Sequence, residues 1–147
     1  MNDLAVHLVD DLLPRVRVRQ WICSMPWSLR MALGYDRKLC SEVLATFARA
    51  LERSYRWRAK RLLDLPSVRD AHFGAVTIVQ RFDSAIRLNP HPHVLVLDGV
   101  YVRDACGTLR FHELPPPTPD DVAEVAARTA LGVERVLARH GRVLDDE

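Results

Sequence analysis

Apolar and polar positions change period several times along the chain, and each change marks an element. Leu4, Leu8 and Leu12 recur every four residues, which predicts a short helix over residues 2–13, ended by Pro14. In VRVRQWICS the period drops to two. Val16, Val18, Gln20 and Ile22 take one face and Arg17, Arg19, Trp21 and Cys23 the other, so a strand is expected. From Trp27 to about Leu63 the helical period returns, with Cys40, Val43, Leu44, Phe47, Leu51 and Tyr55 on one stripe and a bend expected at Gly34. Residues 64–72 read as a loop. Gly74–Phe82 and His93–Val102 are the next strands, and the link over residues 83–90 is too short for a parallel crossover, so an antiparallel hairpin follows. TLRFHEL supplies a fourth strand. After PPPTP, Thr118 or Asp120 caps a last helix that runs to about His140, with Val122, Val125, Ala126, Val133, Val136 and Leu137 on one side. The predicted class is α+β: one domain over residues 1–147, its mostly antiparallel sheet packed by a long helix and a C-terminal helix.

Composition narrows the function classes. The chain has 147 residues, enough to bury a core, and no apolar run long enough for a membrane span. Its first residues carry acids and no basic n-region, which argues against a secretory signal. Three cysteines without a CxxC pair encode neither a zinc ribbon nor a disulfide framework, and a reducing cytoplasm is the expected home. Net charge is only +2, but residues 14–61 hold 12 Lys/Arg against 3 Asp/Glu, whereas residues 112–147 hold 4 against 8. The basic segment is either a phosphate-binding footprint or a solvated arginine-rich helix. Arg49, Arg53, Arg56, Arg58, Lys60 and Arg61 are its candidate DNA-binding residues. Trp21, Trp27 and Trp57 could stack on bases if exposed, and Trp27 is expected in the core.

The chemistry concentrates in NPHPHVLVLDGVY. Residues two apart on a strand share a face, so His91 and His93 point the same way and could share a divalent ion. Pro92 between them cannot donate to a ladder, which places the pair at the sheet's rim. A third ligand is sought across the hairpin. With Phe82 opposite His91, Gln80 lies opposite His93 and could offer its carbonyl oxygen; the alternative is a hydrogen bond from Gln80 to backbone. The remaining histidines have no partner at ligand spacing and read as structural or solvent-facing.

Three stretches, LPRVRVRQWICSMPWSLRMALGYDRKLC, GAVTIVQRFDSAIRLNPHPHVLVLDGVY and PPPTPDDVAEVAARTA, together resemble the central domain of bacterial two-tyrosine rolling-circle insertion-sequence transposases. The resemblance makes His91 and His93 the two histidines of the HUH metal motif, whose middle residue, bulky and apolar in the family, is Pro92 here. It implies Mg²⁺ or Mn²⁺ as cofactor and metal-dependent cleavage and transfer of single-stranded DNA at element ends. The family's tyrosine nucleophiles lie beyond the region matching residues 118–140, so the chain reads as a truncated copy with no catalytic nucleophile identified in it. A full-length transposase or a separate C-terminal segment is then an expected partner. A catalytically dead DNA-binding remnant that competes for element ends is the alternative.

Overall fold

The structure, a computed structural model, describes residues 14–143, so the helix expected over residues 2–13 lies outside the described residues. Among the described residues, strand β1 (Val18–Ile22) is followed by helices α1 (Trp27–Tyr35) and α2 (Arg37–Leu62). Then come strands β2 (Ala75–Phe82), β3 (Leu88–Leu97), β4 (Gly99–Arg103) and β5 (Leu109–Glu113), and helix α3 (Pro119–Arg139). β1, β3 and β2 form an antiparallel sheet in that order, and β4 and β5 form a separate hairpin. The architecture is the predicted α+β one.

Two elements differ from the sequence pattern. The long helix breaks at Asp36, not Gly34. Asp36 is extended, and its carboxylate accepts the Leu39 N–H at 2.9 Å, which caps α2. Gly34 serves packing instead: a Cβ there would lie 2.3 Å from a Leu88 methyl, so the glycine lets α1 seat against Leu88 at the turn end of the β2–β3 hairpin without moving that side chain. The expected strand over residues 93–102 is two strands of two sheets. At Asp98 the backbone turns away, its N–H donating to Arg17 O and its C=O accepting from Leu114 N–H. Its carboxylate, almost wholly buried, takes both arms of the Arg19 guanidinium at 3.0 and 2.8 Å. A polar residue among apolar ones has thus ended a strand that hydrophobic alternation alone would continue.

β3 is central, yet it carries Pro90 and Pro92. Peptide groups alternate in direction along an antiparallel strand, and Pro92 C=O accepts from Cys23 N–H on the β1 side. Pro92 and Pro90 therefore turn their missing donors toward β1, which ends at Ile22 opposite His93. The ladder to β2 loses nothing, and residues 88–92 are an edge on one side only.

The core lies on one face of the sheet. Val94 and Val96 of β3 pack under Phe47, Ala50, Leu51 and Tyr55 of α2, and Val125 of α3 closes the same cluster. Trp21 Nε1 donates to the Tyr55 hydroxyl at 3.3 Å. A second cluster joins Leu29 and Leu33 of α1 to Leu39 and Val43 of α2 and to Val133, Val136 and Leu137 of α3. α3 runs antiparallel to α2, with Gly132 against Thr46 and Arg58 against Asp121. Thr118 caps α3 in a reciprocal box with Asp121.

Arg58, expected on the DNA-binding face, is buried at 4% exposure. Its guanidinium donates to Pro115 C=O, lies 3.4 Å from the Asp121 carboxylate and sits over the Tyr55 ring. It ties α2 to the start of α3 and is not free to meet a phosphate. Removing one partner of a buried pair leaves the other charge unpaired. Arg58→Ala is therefore expected to lower unfolding stability by about 3 kcal/mol in urea titrations.

Candidate metal centre and basic surfaces

β3 sends alternate side chains to opposite faces. Val94 and Val96 face the helices, so His91 and His93 face the other way, beside Gln20 of β1 and Gln80 of β2. The imidazoles stand together with ring centroids 4.9 Å apart at 48°. His91 is buried, and His93 is half-buried next to the exposed Ile22 and Ile78.

Both rings are held at Nδ1. His91 Nδ1 lies 2.6 Å from the backbone C=O of Asn89. A carbonyl only accepts, so Nδ1 carries the proton and Nε2 keeps its lone pair. His93 Nδ1 lies 2.7 Å from the Gln20 side-chain amide. In the structure the amide nitrogen faces the ring and donates to Nδ1, which places the proton on Nε2; a half-turn of the amide would bring its oxygen to Nδ1–H and free Nε2. His93 Nε2 is buried and has no hydrogen-bond partner among the described residues. Leaving such a group unpaired costs about 1–3 kcal/mol. His91, anchored at Nδ1–H with Nε2 free, is oriented as metal-binding imidazoles commonly are, and His93 takes the same form once the Gln20 amide turns.

Among the described residues, no group of three His, Cys, Asp or Glu side chains is placed to hold a metal ion. Further donors would have to be amide oxygens. The register puts Gln80 opposite His91, not His93 as expected, continuing the unbroken rungs from Ala75–Val96; a bulge beyond it then pairs Phe82 with Leu88. Gln80 Nε2 donates to its own strand at Phe82 O, 2.9 Å away, the backbone bond that was the alternative to ligation; this leaves Oε1 uncommitted. Sequence reasoning missed Asn89, two residues before His91 on the same strand parity. Its side-chain oxygen is buried and unpartnered among the described residues. The N-x-H-x-H spacing was visible, but its burial was not. Gln20 was missed too, since nothing local shows that β1 pairs beside β3.

The remaining histidines sit elsewhere. His72 bridges Tyr101 through the backbone, His112 is exposed on β5, and His140 ends α3 with Nε2 3.4 Å from Glu42; His7 lies outside the described residues.

The basic residues of α2 lie on the helical side of the sheet, away from the histidine face. Arg49, Arg53 and Arg61 are exposed, and Arg56 pairs with Glu52 at 3.0 Å. Arg53 and Lys60 each sit 5.7 Å from the ring centre of Trp57, which is 48% exposed. Trp27, expected in the core, is 61% exposed. α1 buries Leu29 and Leu33, and Trp27 falls on its opposite side together with the exposed Met31 and Tyr35. No helix among the described residues is long and apolar enough to cross a membrane.

Residues 74–127, which span β2 to the first turns of α3 and include the histidine pair, match a protein-family model described as "Putative transposase". No curated protein and no solved structure matches the chain.

The Asn89 contact fixes a tautomer that solution spectroscopy can read. Nitrogen-15 correlation spectra of the histidine rings are expected to show neutral His91 as the Nδ1–H form. An Nε2–H form would mean that the Asn89 carbonyl does not hold the ring.

Proposed function

We propose that the chain is the metal-binding part of a DNA transposition enzyme that acts on single-stranded DNA. The observation that carries this reading is the paired imidazoles, each engaged at Nδ1, with a buried and unpartnered Nε2 on His93. The similarity of residues 74–127 to transposases supports it, since that stretch contains both histidines. The donor set of two imidazoles and amide oxygens suits Mn²⁺ or Mg²⁺ better than a thiolate-seeking ion.

His91 and His93 would hold the ion through Nε2. Gln80 Oε1 and the Asn89 side-chain oxygen are the candidate further ligands. When bound, the ion supplies a Lewis acid and a template for the scissile phosphate. The chain's own residues orient and desolvate: the Asn89 carbonyl and Gln20 fix the rings, and Ile22 and Ile78 flank them with apolar surface.

No nucleophile is assigned within the chain. Tyr55 is buried under the opposite face of the sheet, and Tyr101 belongs to the β4–β5 hairpin. Tyr35 is exposed at the end of α1, and nothing orients its hydroxyl. An attacking oxygen must stand about 3–3.5 Å from the phosphorus, in line with the leaving group. A tyrosine on another segment or another polypeptide is the partner this reading calls for, and a cytoplasmic setting gives access to the DNA. The alternative, a DNA-binding module without cleavage, is favoured by the position of the basic helix, across the sheet from the histidines.

Calorimetry with Mn²⁺ should show weak binding that His91→Ala/His93→Ala abolishes. Asn89→Leu or Gln80→Leu should weaken it about tenfold, whichever supplies the oxygen. Equal binding by wild type and double variant would remove the metal site. Incubation with labelled single-stranded DNA and Mn²⁺ should give no covalent adduct on a denaturing gel. A labelled band at the protein's mass, lost in Tyr35→Phe, would overturn that assignment and make Tyr35 the nucleophile.

A further inference from the structure

α3 belongs to the acidic part of the chain, yet one of its sides is basic where it meets α2. Arg128, Arg135 and Arg139 of α3 face Arg49 and Arg53 of α2 across a groove of about 320 Å³, with buried Thr46, Ala50 and Val136 in its lining. The groove exists because the helices meet closely at Gly132, where a Cβ would come within 2.9 Å of Thr46. Arginine stems then rise on both sides. Two of the five are neutralised at the ends, Arg128 by Glu124 at 2.7 Å and Arg139 by Glu42 at 3.0 Å. Arg49, Arg53 and Arg135 form no ion pair among the described residues.

We infer that this groove is a second nucleic-acid site, separate from the histidine pair, which grips the phosphodiester backbone of a single strand. Its length and spacing fit a short run of phosphates. Arg128 to Arg139 spans roughly 16 Å of helix; the four-residue steps Arg49–Arg53 and Arg135–Arg139 are each about 6 Å of rise, and Arg128 stands about 10 Å before Arg135. Each guanidinium can fork onto one phosphate through two parallel bonds. Arg53 also joins the groove to Trp57, whose exposed ring is flanked by two cations. Phosphate clamps beside an aromatic platform suit a single strand with unpaired bases, because a base can stack where the backbone is held. An anionic lipid surface would want a convex apolar face, and an acidic peptide would have no use for the platform.

The inference shares with the proposed function the premise of a nucleic-acid ligand, but not the metal. The sheet and α2 stand between the groove and His91/His93, so the phosphates held in the groove are not those presented to the histidines. The groove would retain a flanking segment or a second strand.

The test is fluorescence anisotropy of a labelled single strand over a salt series, with Mn²⁺ calorimetry on the same proteins. Each phosphate contact on a single strand contributes about 0.7 to the slope of log affinity against log salt. Arg49→Ala/Arg53→Ala/Arg135→Ala should reduce the slope by about 2 and leave Mn²⁺ binding unchanged. His91→Ala/His93→Ala should do the reverse, so failure of one site is told apart from failure of the other. Trp57→Ala should weaken single-strand binding about tenfold without changing affinity for phosphatidylglycerol vesicles. If circular dichroism shows the triple variant unfolded, Arg135→Ala alone should lower the slope by about 0.7. An unchanged slope in a folded variant would overturn the inference. So would wild-type binding to the vesicles that rivals DNA and is lost with the same arginines, since that would make the groove a membrane-facing surface.

Discussion

Val94 and Val96 of β3, packed under Leu51 and Tyr55 of α2, set the orientation of everything the molecule offers to a ligand. A strand has period two, so fixing these residues inward fixes every other residue outward. A slip of one residue would turn the imidazoles under the helices and the valines to the opposite face. The rungs to β1 and β2 on either side repeat the constraint. Trp21 points in to Tyr55, and Gln20 next to it points out to His93. The Asp98–Arg19 pair ends the strand and keeps the register from extending into the second hairpin. The histidine pair is thus a consequence of core packing on the other face.

Period carried much of the fold into the sequence. Alternation located β1 and β2, helical spacing located α2 and α3, and Thr118 was legible as a cap because its side chain and Asp121 close a local box. What failed depended on contacts distant in sequence. The strand over residues 93–102 looked continuous, since nothing local showed that Asp98 would meet Arg19. A glycine suggests a bend at Gly34, but the Asp36 carboxylate decides where the helix breaks. The expectation of Trp27 in the core fails because Leu29 and Leu33 define the buried side of α1.

The candidate site divides the same way. That His91 and His93 share a face follows from spacing alone. Their neighbours do not: Gln20 comes from a strand some seventy residues earlier, Gln80 pairs two residues along from the expected partner because the hairpin turn is tighter, and the importance of Asn89 rests on burial. The basic residues were legible as a run and illegible as a surface. Arg58 lies in that run yet pins two helices together, while Arg128, Arg135 and Arg139 sit in a segment whose net charge is negative and still complete a basic groove. Net charge over a window averages the two sides of a helix, and recognition uses only one of them. The result is a sheet with imidazoles on one face and a cationic helical layer on the other.

The central claim is that His91 and His93 offer their Nε2 atoms to one divalent ion. Mn²⁺ is paramagnetic and broadens the resonances of nearby protons. Sub-stoichiometric Mn²⁺ added to the folded chain is expected to erase the ring-proton signals of His91 and His93 first and together, while those of His72, His112 and His140 persist. Broadening spread evenly over all the histidines, or centred on Glu42 and His140, would contradict the account.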